Sequence, residues 1–291
     1  QRMSAETVLR HFNRAWSQRV GVLDESFLGS GRPIGPSRLL FELGTRSVSV
    51  RELRDRTGLD SGYVSRLLRS LEREGLVRTT VDPADARRRL VSLTAAGRAA
   101  RADLDDRSEQ LARGLVEPLT DGQRARLADA LDTADRLLRA ATTVISPADP
   151  ESGPAQAALA SYYAELGRRF DDGFDPGEET FDVFRPPDGV MLLAVSEGEP
   201  VACGGLQRLD DRTAEIKRMW VHDDWRGAGL GGRMLRALEQ AAVDHGRAVV
   251  RLDTNRVLTD AVSMYRRAGY TDIGRYNDNP YAHHWFEKTV G

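Results

Sequence analysis

The chain is 291 residues long, with 40% hydrophobic and 30% charged residues and a formal net charge of −2, which indicates a soluble globular protein of two ordinary domains. No apolar run approaches the roughly 18 residues of a membrane span, and the start does not read as a signal peptide, so no membrane partner and a cytoplasmic location are expected. The single cysteine, Cys203, excludes an intrachain disulfide and a cysteine-based metal site; within the alternating run Val201 to Gly205 it reads as a buried core thiol. Charge is divided unevenly, with 25 Lys+Arg against 20 Asp+Glu in residues 1–140 and 17 against 24 in the remainder. A basic first half admits a polyanionic partner.

Leu9, Phe12, Ala15, Trp16 and Val20 fall at helical spacing on a first long helix, and a short second helix is expected from Ser37 to Leu43, ended by Gly44. Val50 to Arg56 reads as a helix stopped by Gly58. Asp60 or Ser61 caps the next, whose Val64, Leu67, Leu68 and Leu71 follow the i, i+3, i+4, i+7 pattern. A helix-turn-helix has this form. Burying the leucine face leaves Ser61, Gly62, Ser65, Arg66 and Arg69 outward, with Tyr63 at the margin, and no acid lies between Asp60 and Glu72. Arginines there can pair with guanine edges or phosphates, and serines with phosphate oxygens; a solvated helix face is the alternative.

Gly75 to Val81 reads as a strand, Asp82 to Arg88 as a turn, and Arg89 to Leu93 as the partner strand. At the tip of such a hairpin Arg87 and Arg88 can enter a minor groove, with Asp85 bracing an arginine. With this D-x-x-D-x-R wing and the following Leu93-Thr94-Ala95-Ala96-Gly97, the sequence resembles the MarR family of winged-helix regulators from residue 5 to about residue 140. The resemblance implies a mainly α winged helix-turn-helix that binds double-stranded DNA, with Ser61, Tyr63, Ser65, Arg66, Arg69, Arg87 and Arg88 as contacts. Thr94 caps a long helix to about Leu119, and Thr120 or Asp121 starts another through Ala140 with the stripe Leu127, Ala130, Leu131, Ala134, Leu137 and Leu138. In the family the first and last helices build a homodimer. Recognition helices related by a two-fold axis engage successive major grooves, so the operator is expected to be an inverted repeat.

Three prolines between Ser146 and Pro154 mark a short junction, which places the domains at 1–141 and 142–291, with Thr142 to Ile145 opening the second as a strand. Ala157 to Phe170 is an amphipathic helix. The polar, proline-bearing segment 171–189 follows, then a hairpin from Val190 to Leu209 and a strand from Glu215 to Val221. After that strand comes Arg226-Gly227-Ala228-Gly229-Leu230-Gly231-Gly232, and then a helix from Met234. Glycines at such a turn let backbone N–H groups at a helix N-terminus approach a bulky anion, which makes a phosphate cradle. The run also fits the dinucleotide pattern G-x-G-x-x-G. Against that reading stands the polar insert His222 to Arg226, which separates strand from glycines.

Arg226-x-x-Gly229-x-Gly231 at a strand-to-helix turn, with the strand Glu215 to Val221, the run Leu252-Asp253-Thr254-Asn255 and the segment Met264 to Tyr270, resembles the GNAT acetyltransferases. The resemblance implies an α/β acyl-CoA N-acyltransferase fold with a mixed, splayed central sheet, acetyl-CoA as co-substrate, a primary amine as acceptor, and segment 171–189 helping to wall the acceptor pocket. It assigns cofactor contacts to Met219, Val221, Arg226, Gly227, Gly229, Gly231, Gly232, Asn255 and Tyr265, with Arg266 and Arg267 as further candidates for the CoA phosphates. Glu215 is then the expected base, the Val221 amide the oxyanion donor, and Tyr265 the acid for the leaving thiolate. Tyr270 is expected in the core. No metal is expected, because His222, His283 and His284 match no metal-site spacing. Tyr276 to Val290 reads as a terminal hairpin.

The whole-chain expectation is a dimeric DNA-binding regulator joined to an acetyl-CoA-dependent N-acetyltransferase. Two alternatives remain at this point: a regulator whose second domain only senses acetyl-CoA, and an acetyltransferase whose first domain only dimerises.

Overall fold

A computed structural model of the chain describes residues 4–22, 24–44, 46–171, 173–177 and 180–291. The chain divides into two compact units, 1–126 and 127–291.

In the first unit, helix α1 (Ala5–Arg19) is capped by Ser4, and Phe12 and Trp16 on one of its faces stack at 6.1 Å. No residue of α1 is buried within the chain. Helix α2 (Ile34–Glu42) begins three residues earlier than the expected Ser37. Pro33 at its N-cap and Pro36 in its first turn fit there, because the N–H groups they lack have no intrahelical partner at that end. Strand β1 (Val48–Ser49) leads into α3 (Val50–Thr57), where Ser49 accepts from the Glu52 N–H and Gly58 ends the helix at φ 65°. Asp60 caps α4 (Ser61–Arg73), which buries Val64, Leu67, Leu68 and Leu71 as its periodicity requires.

Strands β2 (Val77–Asp82) and β3 (Asp85–Leu93) form the hairpin, with β1 on the outer side of β3. The turn is tighter than expected. Asp82 pairs with Asp85, so Arg87 and Arg88 lie within β3 next to the tip rather than in the turn itself. Helix α5 (Ala95–Val116) follows, capped by Thr94, whose hydroxyl also donates to the Gly75 carbonyl at 2.6 Å. A Cβ at Gly97 would stand 1.8 Å from the Leu76 carbonyl oxygen, which gives the Leu-Thr-x-x-Gly run its physical meaning: helix and strand touch backbone to backbone there. The core gathers leucines of α2, α4 and α5 with Val77, Val91 and Leu93 of the hairpin.

Helix α6 (Asp121–Thr142) carries the compact-unit division within it. Its C-terminal end belongs to the second unit, where Ala140 is fully buried in the larger core. The expected strand Thr142 to Ile145 is displaced. Thr142 and Thr143 hydroxyls bond back to the carbonyls of Leu138 and Arg139 as a helix end, and strand β4 starts only at Ile145 and runs to Ala148. Helix α7 (Gly153–Arg169), strands β5 (Gly189–Ser196), β6 (Glu199–Arg208) and β7 (Thr213–Val221), helix α8 (Leu230–Asp244), strand β8 (Val249–Thr254), helix α9 (Thr259–Arg267), and strands β9 (Thr271–Ile273) and β10 (His284–Thr289) complete the unit. The terminal hairpin pairs β9 with β10, so its first strand precedes Tyr276, and Asn277 to Asn279 lie in the connecting loop, where their turn was expected.

The sheet order is β4-β5-β6-β7-β8-β10-β9, antiparallel except for β7 beside β8. Between the pairs Cys203–Trp220 and Gly205–Lys217, the single residue Gly204 of β6 faces two residues of β7, Arg218 and Met219. Arg218 takes a φ of 54°, so β7 bulges and bends there. Parallel pairing with β8 accordingly covers only Thr213 to Ile216 against Val249 to Leu252, and the two strands part beyond it. Cys203 is fully buried, and burial pushes its thiol up to about 12.

Candidate functional site

Two clefts meet where β7 and β8 part. The first, of about 780 Å³, is lined by Gly227, Gly229, Gly231 and Gly232, by Met219 and Val221 of β7, and by residues of α7 and α9. The second, of about 680 Å³, lies on the other side, between β8, residues 174–177 with Thr180, Val183 and Phe184, and loop 279–282. Met219 and Tyr265 line both.

The glycine turn is built for close approach. Gly227 and Gly229 have φ of 75° and 89°, which only glycine adopts without strain, and Gly229 stands at the N-cap of α8 with no side-chain cap. The first N–H groups of α8 therefore lack side-chain partners, as an anion site requires. Side chains at Gly231 and Gly232 would enter the first cleft, where a Cβ at Gly231 meets the Met264 sulfur at 3.3 Å. The residues present thus fit a pyrophosphate.

Along β7, His222 donates its N–H to Val201 of β6, so strand alternation turns the Val221 N–H to the opposite edge, toward the gap left by β8. Arg226 does not project freely. Its guanidinium is shared between Glu165 and Asp223, and its Nε donates to the Val221 carbonyl at 3.1 Å. Glu165 was not singled out from the sequence, although its i,i+4 relation to Arg169 is visible there. It is buried and also accepts from Trp220 Nε1 at 3.0 Å and Arg169 Nη1 at 2.9 Å. Burial alone would raise its pKa, but Arg226 and Arg169 outweigh burial and hold it below the ordinary glutamate value. Arg267 and Arg236 also line this cleft, whereas Arg266 pairs with Asp272 outside it.

Tyr265 is buried on α9 at the junction of the clefts, and among the described residues its hydroxyl finds only the Met219 sulfur, at 4.0 Å. Burial, with a contribution from the Asp253 charge, pushes that hydroxyl's pKa up, so it is a proton donor in the resting state. Tyr270 is in the core.

Two expected residues sit differently. Glu215 is 2% exposed and lines neither cleft; Gln207, Lys217, Tyr276 and Asn277 hold its two oxygens. Asn255 lines the second cleft, not the first. Its amide is spent inside the protein, donating to the Tyr281 carbonyl at 2.8 Å and accepting from the Val257 N–H at 3.0 Å. The charged pair at the second cleft is instead Lys217 with Asp253, at 2.6 Å. Burial opposes the Lys217 charge, but Glu215 and Asp253 prevail and keep its pKa raised. Asp172, Glu178 and Glu179 of the segment expected to help wall this side lie outside the described residues. Among the described residues no group of three or more His, Cys, Asp or Glu is placed to hold a metal ion.

In the first unit, Ser61, Tyr63, Arg66 and Arg69 are exposed on α4 and Ser65 is half-buried, its hydroxyl donating to the Ser61 carbonyl at 2.8 Å. The Arg66 guanidinium lies over the Tyr63 ring at 5.6 Å. Arg87 and Arg88 are exposed on β3. The acid that faces a wing arginine is Asp82, 3.8 Å from Arg88; Asp85 turns back to accept the Arg87 backbone N–H.

The splayed mixed sheet with a glycine turn at the start of α8 defines an acyl-CoA N-acyltransferase type of fold, and the capped helix pair with its hairpin a winged helix-turn-helix. Residues 157–270 match the acetyltransferase (GNAT) family and residues 31–88 the MarR family, so the chain joins a MarR-family segment to an N-acetyltransferase segment of the GNAT family. The IAA acetyltransferase of Azospirillum brasilense is 29% identical over 128 residues, which are 42% of this chain and 83% of the relative. The N-acetyltransferase YjcF of Bacillus subtilis is 35% identical over 95 residues, 33% of this chain and 64% of the relative. A MarR-family transcriptional regulator of Rhodococcus is 22% identical, with 46% of this chain and 96% of that chain covered and a TM-score of 0.38.

Proposed function

We propose that the chain is bifunctional: a homodimeric winged-helix regulator that binds an inverted-repeat operator, joined at residues 141/142 to an acetyltransferase that moves acetyl from acetyl-CoA to a primary amine. The carrying observation is the meeting of the two clefts at Tyr265 and the Val221 N–H, with a glycine-lined helix start beyond the first cleft. Acetyl-CoA supplies an activated acyl thioester when bound. Gly227, Gly229, Gly231 and Gly232 would hold its pyrophosphate, and Met219 and Val221 its pantetheine arm through strand backbone. The Val221 N–H is the donor for negative charge developing on the acyl oxygen. Tyr265, kept protonated by burial, gives its proton to the departing sulfur, and the proton that the attacking nitrogen loses restores the tyrosine. Glu215 belongs to the network behind the second cleft rather than to its surface, so it acts on the amine only through its neighbours.

DNA binding is supported by the exposed Arg66 and Arg69 on α4 and by Arg87 beside the wing turn, none of which has an ion-pair partner among the described residues. Dimerisation is supported by apolar side chains left outside on the two helices expected to carry it, among them Phe12 and Trp16 of α1 and Leu131, Leu137 and Leu138 of α6.

A specific contact favours acetyl-CoA as an effector as well. Arg233, in the first turn of α8 just past the glycines, donates to the Ala140 and Thr143 carbonyls at the end of α6, and Arg139 of α6 stacks over Trp225 at 5.1 Å. The glycine turn is thereby tied on both sides to α6. Coupling would appear as equal, reciprocal shifts in operator and acetyl-CoA affinity.

The test is steady-state CoA release from acetyl-CoA over a panel of amino acids, polyamines, aminoglycosides, arylalkylamines and lysine peptides. Saturable turnover with one class supports the enzyme. Silence across the panel with acetyl-CoA bound tightly would leave only the effector role.

A further inference from the structure

The base of the second cleft differs from its walls in a way that selects the acceptor. Glu215 receives four donors: Gln207 Nε2 at 2.6 Å, the Tyr276 hydroxyl at 2.7 Å, Lys217 Nζ at 2.9 Å and Asn277 Nδ2 at 3.0 Å. A carboxylate offers about four acceptor positions, so Glu215 is saturated. Asp253, which does line the cleft, receives three: Lys217 Nζ at 2.6 Å, Asn277 Nδ2 at 2.6 Å and Asn279 Nδ2 at 2.7 Å. The orientation of Asn277 is fixed, because Trp285 Nε1, which can only donate, bonds its oxygen at 2.9 Å and turns its NH2 to both carboxylates. Among the described residues, one acceptor position on Asp253 therefore remains for a ligand.

Charge and shape agree with that count. Among the described residues, Asp175 and Asp253 on the wall and Glu215 behind it oppose Lys217 and Arg218, which leaves one net negative charge. Lys217 is committed to the two carboxylates, and the Arg218 guanidinium lies against Phe184 at 4.8 Å and Phe181 at 5.6 Å. The facing wall is aromatic: Phe174 packs on Tyr281 at 4.9 Å and on Tyr163 at 5.7 Å, and Phe170 on Tyr281 at 5.7 Å. Ring faces attract an ammonium and repel a carboxylate.

We propose that this cleft takes a primary amine as its ammonium, anchored at the open position of Asp253 against the aromatic wall, in an acceptor with no carboxylate beside that amine; the extra proton passes to Asp253 before the neutral nitrogen attacks the thioester. Arylalkylamines and alkyl diamines meet this description, and α-amino acids do not. The inference rests on the acetyltransferase reading for its chemistry but not for its binding test.

The experiment is calorimetric titration of the full chain, saturated with CoA, with phenethylamine, L-phenylalanine and 2-phenylethanol, which share a ring and differ in charge. The amine is expected to bind at least tenfold tighter than the other two. Asp253→Asn should weaken the amine at least tenfold while acetyl-CoA affinity stays within twofold, which also reports that the variant is folded. Equal or tighter binding of phenylalanine, unchanged amine affinity in a folded Asp253→Asn protein, or no binding of any of the three overturns the proposal. Should that variant not fold, the ranking of the three ligands on the unaltered protein decides. Turnover is followed in parallel: amine binding without CoA release sinks the acetyltransferase reading and leaves the ligand class standing, whereas preferred release with phenylalanine does the reverse.

Discussion

Glu165→Gln isolates the tie between α7 and the glycine turn. The side chain of Glu165 is 8% exposed and accepts from Trp220, Arg226 and Arg169, which are held on three different elements or turns. Glutamine keeps the volume and, with its oxygen in the Oε2 position, still accepts from Trp220 and Arg226, but sets an NH2 against Arg169. One charge-assisted bond is lost and the other loses its charge, from contributions of about 1.5–3 kcal/mol each. The arginine side chains are 34% and 36% exposed and recover part of this from water, so the net loss is about 2–3 kcal/mol. For a unit of this size that lowers the melting temperature by about 8 °C. The pH dependence has a definite sign. The folded pKa of Glu165 is depressed, so its stabilisation is complete above the unfolded value of about 4.3 and is lost as pH falls through the folded value. Differential scanning calorimetry of both proteins at pH 7 and at pH 3.5 reads the gap. Melting within 1 °C of each other at neutral pH, or a gap that does not narrow in acid, would refute the reasoning.

Three further expectations concern other parts of the molecule. Gly97→Ala puts a methyl 1.8 Å from the Leu76 carbonyl oxygen and should destabilise the first unit by at least about 2 kcal/mol, read as a lower urea midpoint; an unchanged midpoint contradicts the close helix-to-strand contact. Tyr265→Phe should lower kcat by about 10²-fold with acetyl-CoA Kd within threefold, since general-acid assistance is lost without a binding contact; a full rate removes the hydroxyl from the mechanism. Arg66→Ala should cost the operator more than random DNA, while Arg87→Ala should reduce the salt slope of binding by about one, both measured by fluorescence anisotropy. Unchanged operator affinity in both would remove α4 and the wing from DNA contact.

Local pattern carried much of this architecture. The α4 leucines recur at helical period, Asp60 and Thr94 cap the helices they precede, and the glycines of 227–232 announce a turn in which Gly227 and Gly229 take the positive φ that favours glycine. What local pattern could not carry were meetings between distant residues. Lys217 and Asp253 stand 36 positions apart and Glu165 and Arg226 stand 61 apart, and each pair forms only because strands and helices are already in place. For the same reason Glu215 was readable as a carboxylate beside the site but not as one consumed by Tyr276 and Asn277, which reach it from 61 and 62 positions away. The β7 bulge was likewise hidden, since Arg218 at φ 54° carries no glycine to signal it.

The central claim is that acetyl-CoA binds on the glycine turn between β7 and α8. Isothermal titration of acetyl-CoA into the unaltered chain and into Gly231→Val addresses it, because a side chain at Gly231 must enter the first cleft beside Met264. The account predicts one saturable site per chain and at least tenfold weaker binding in the variant. Equal affinity in the two proteins, or no binding to either, would contradict it.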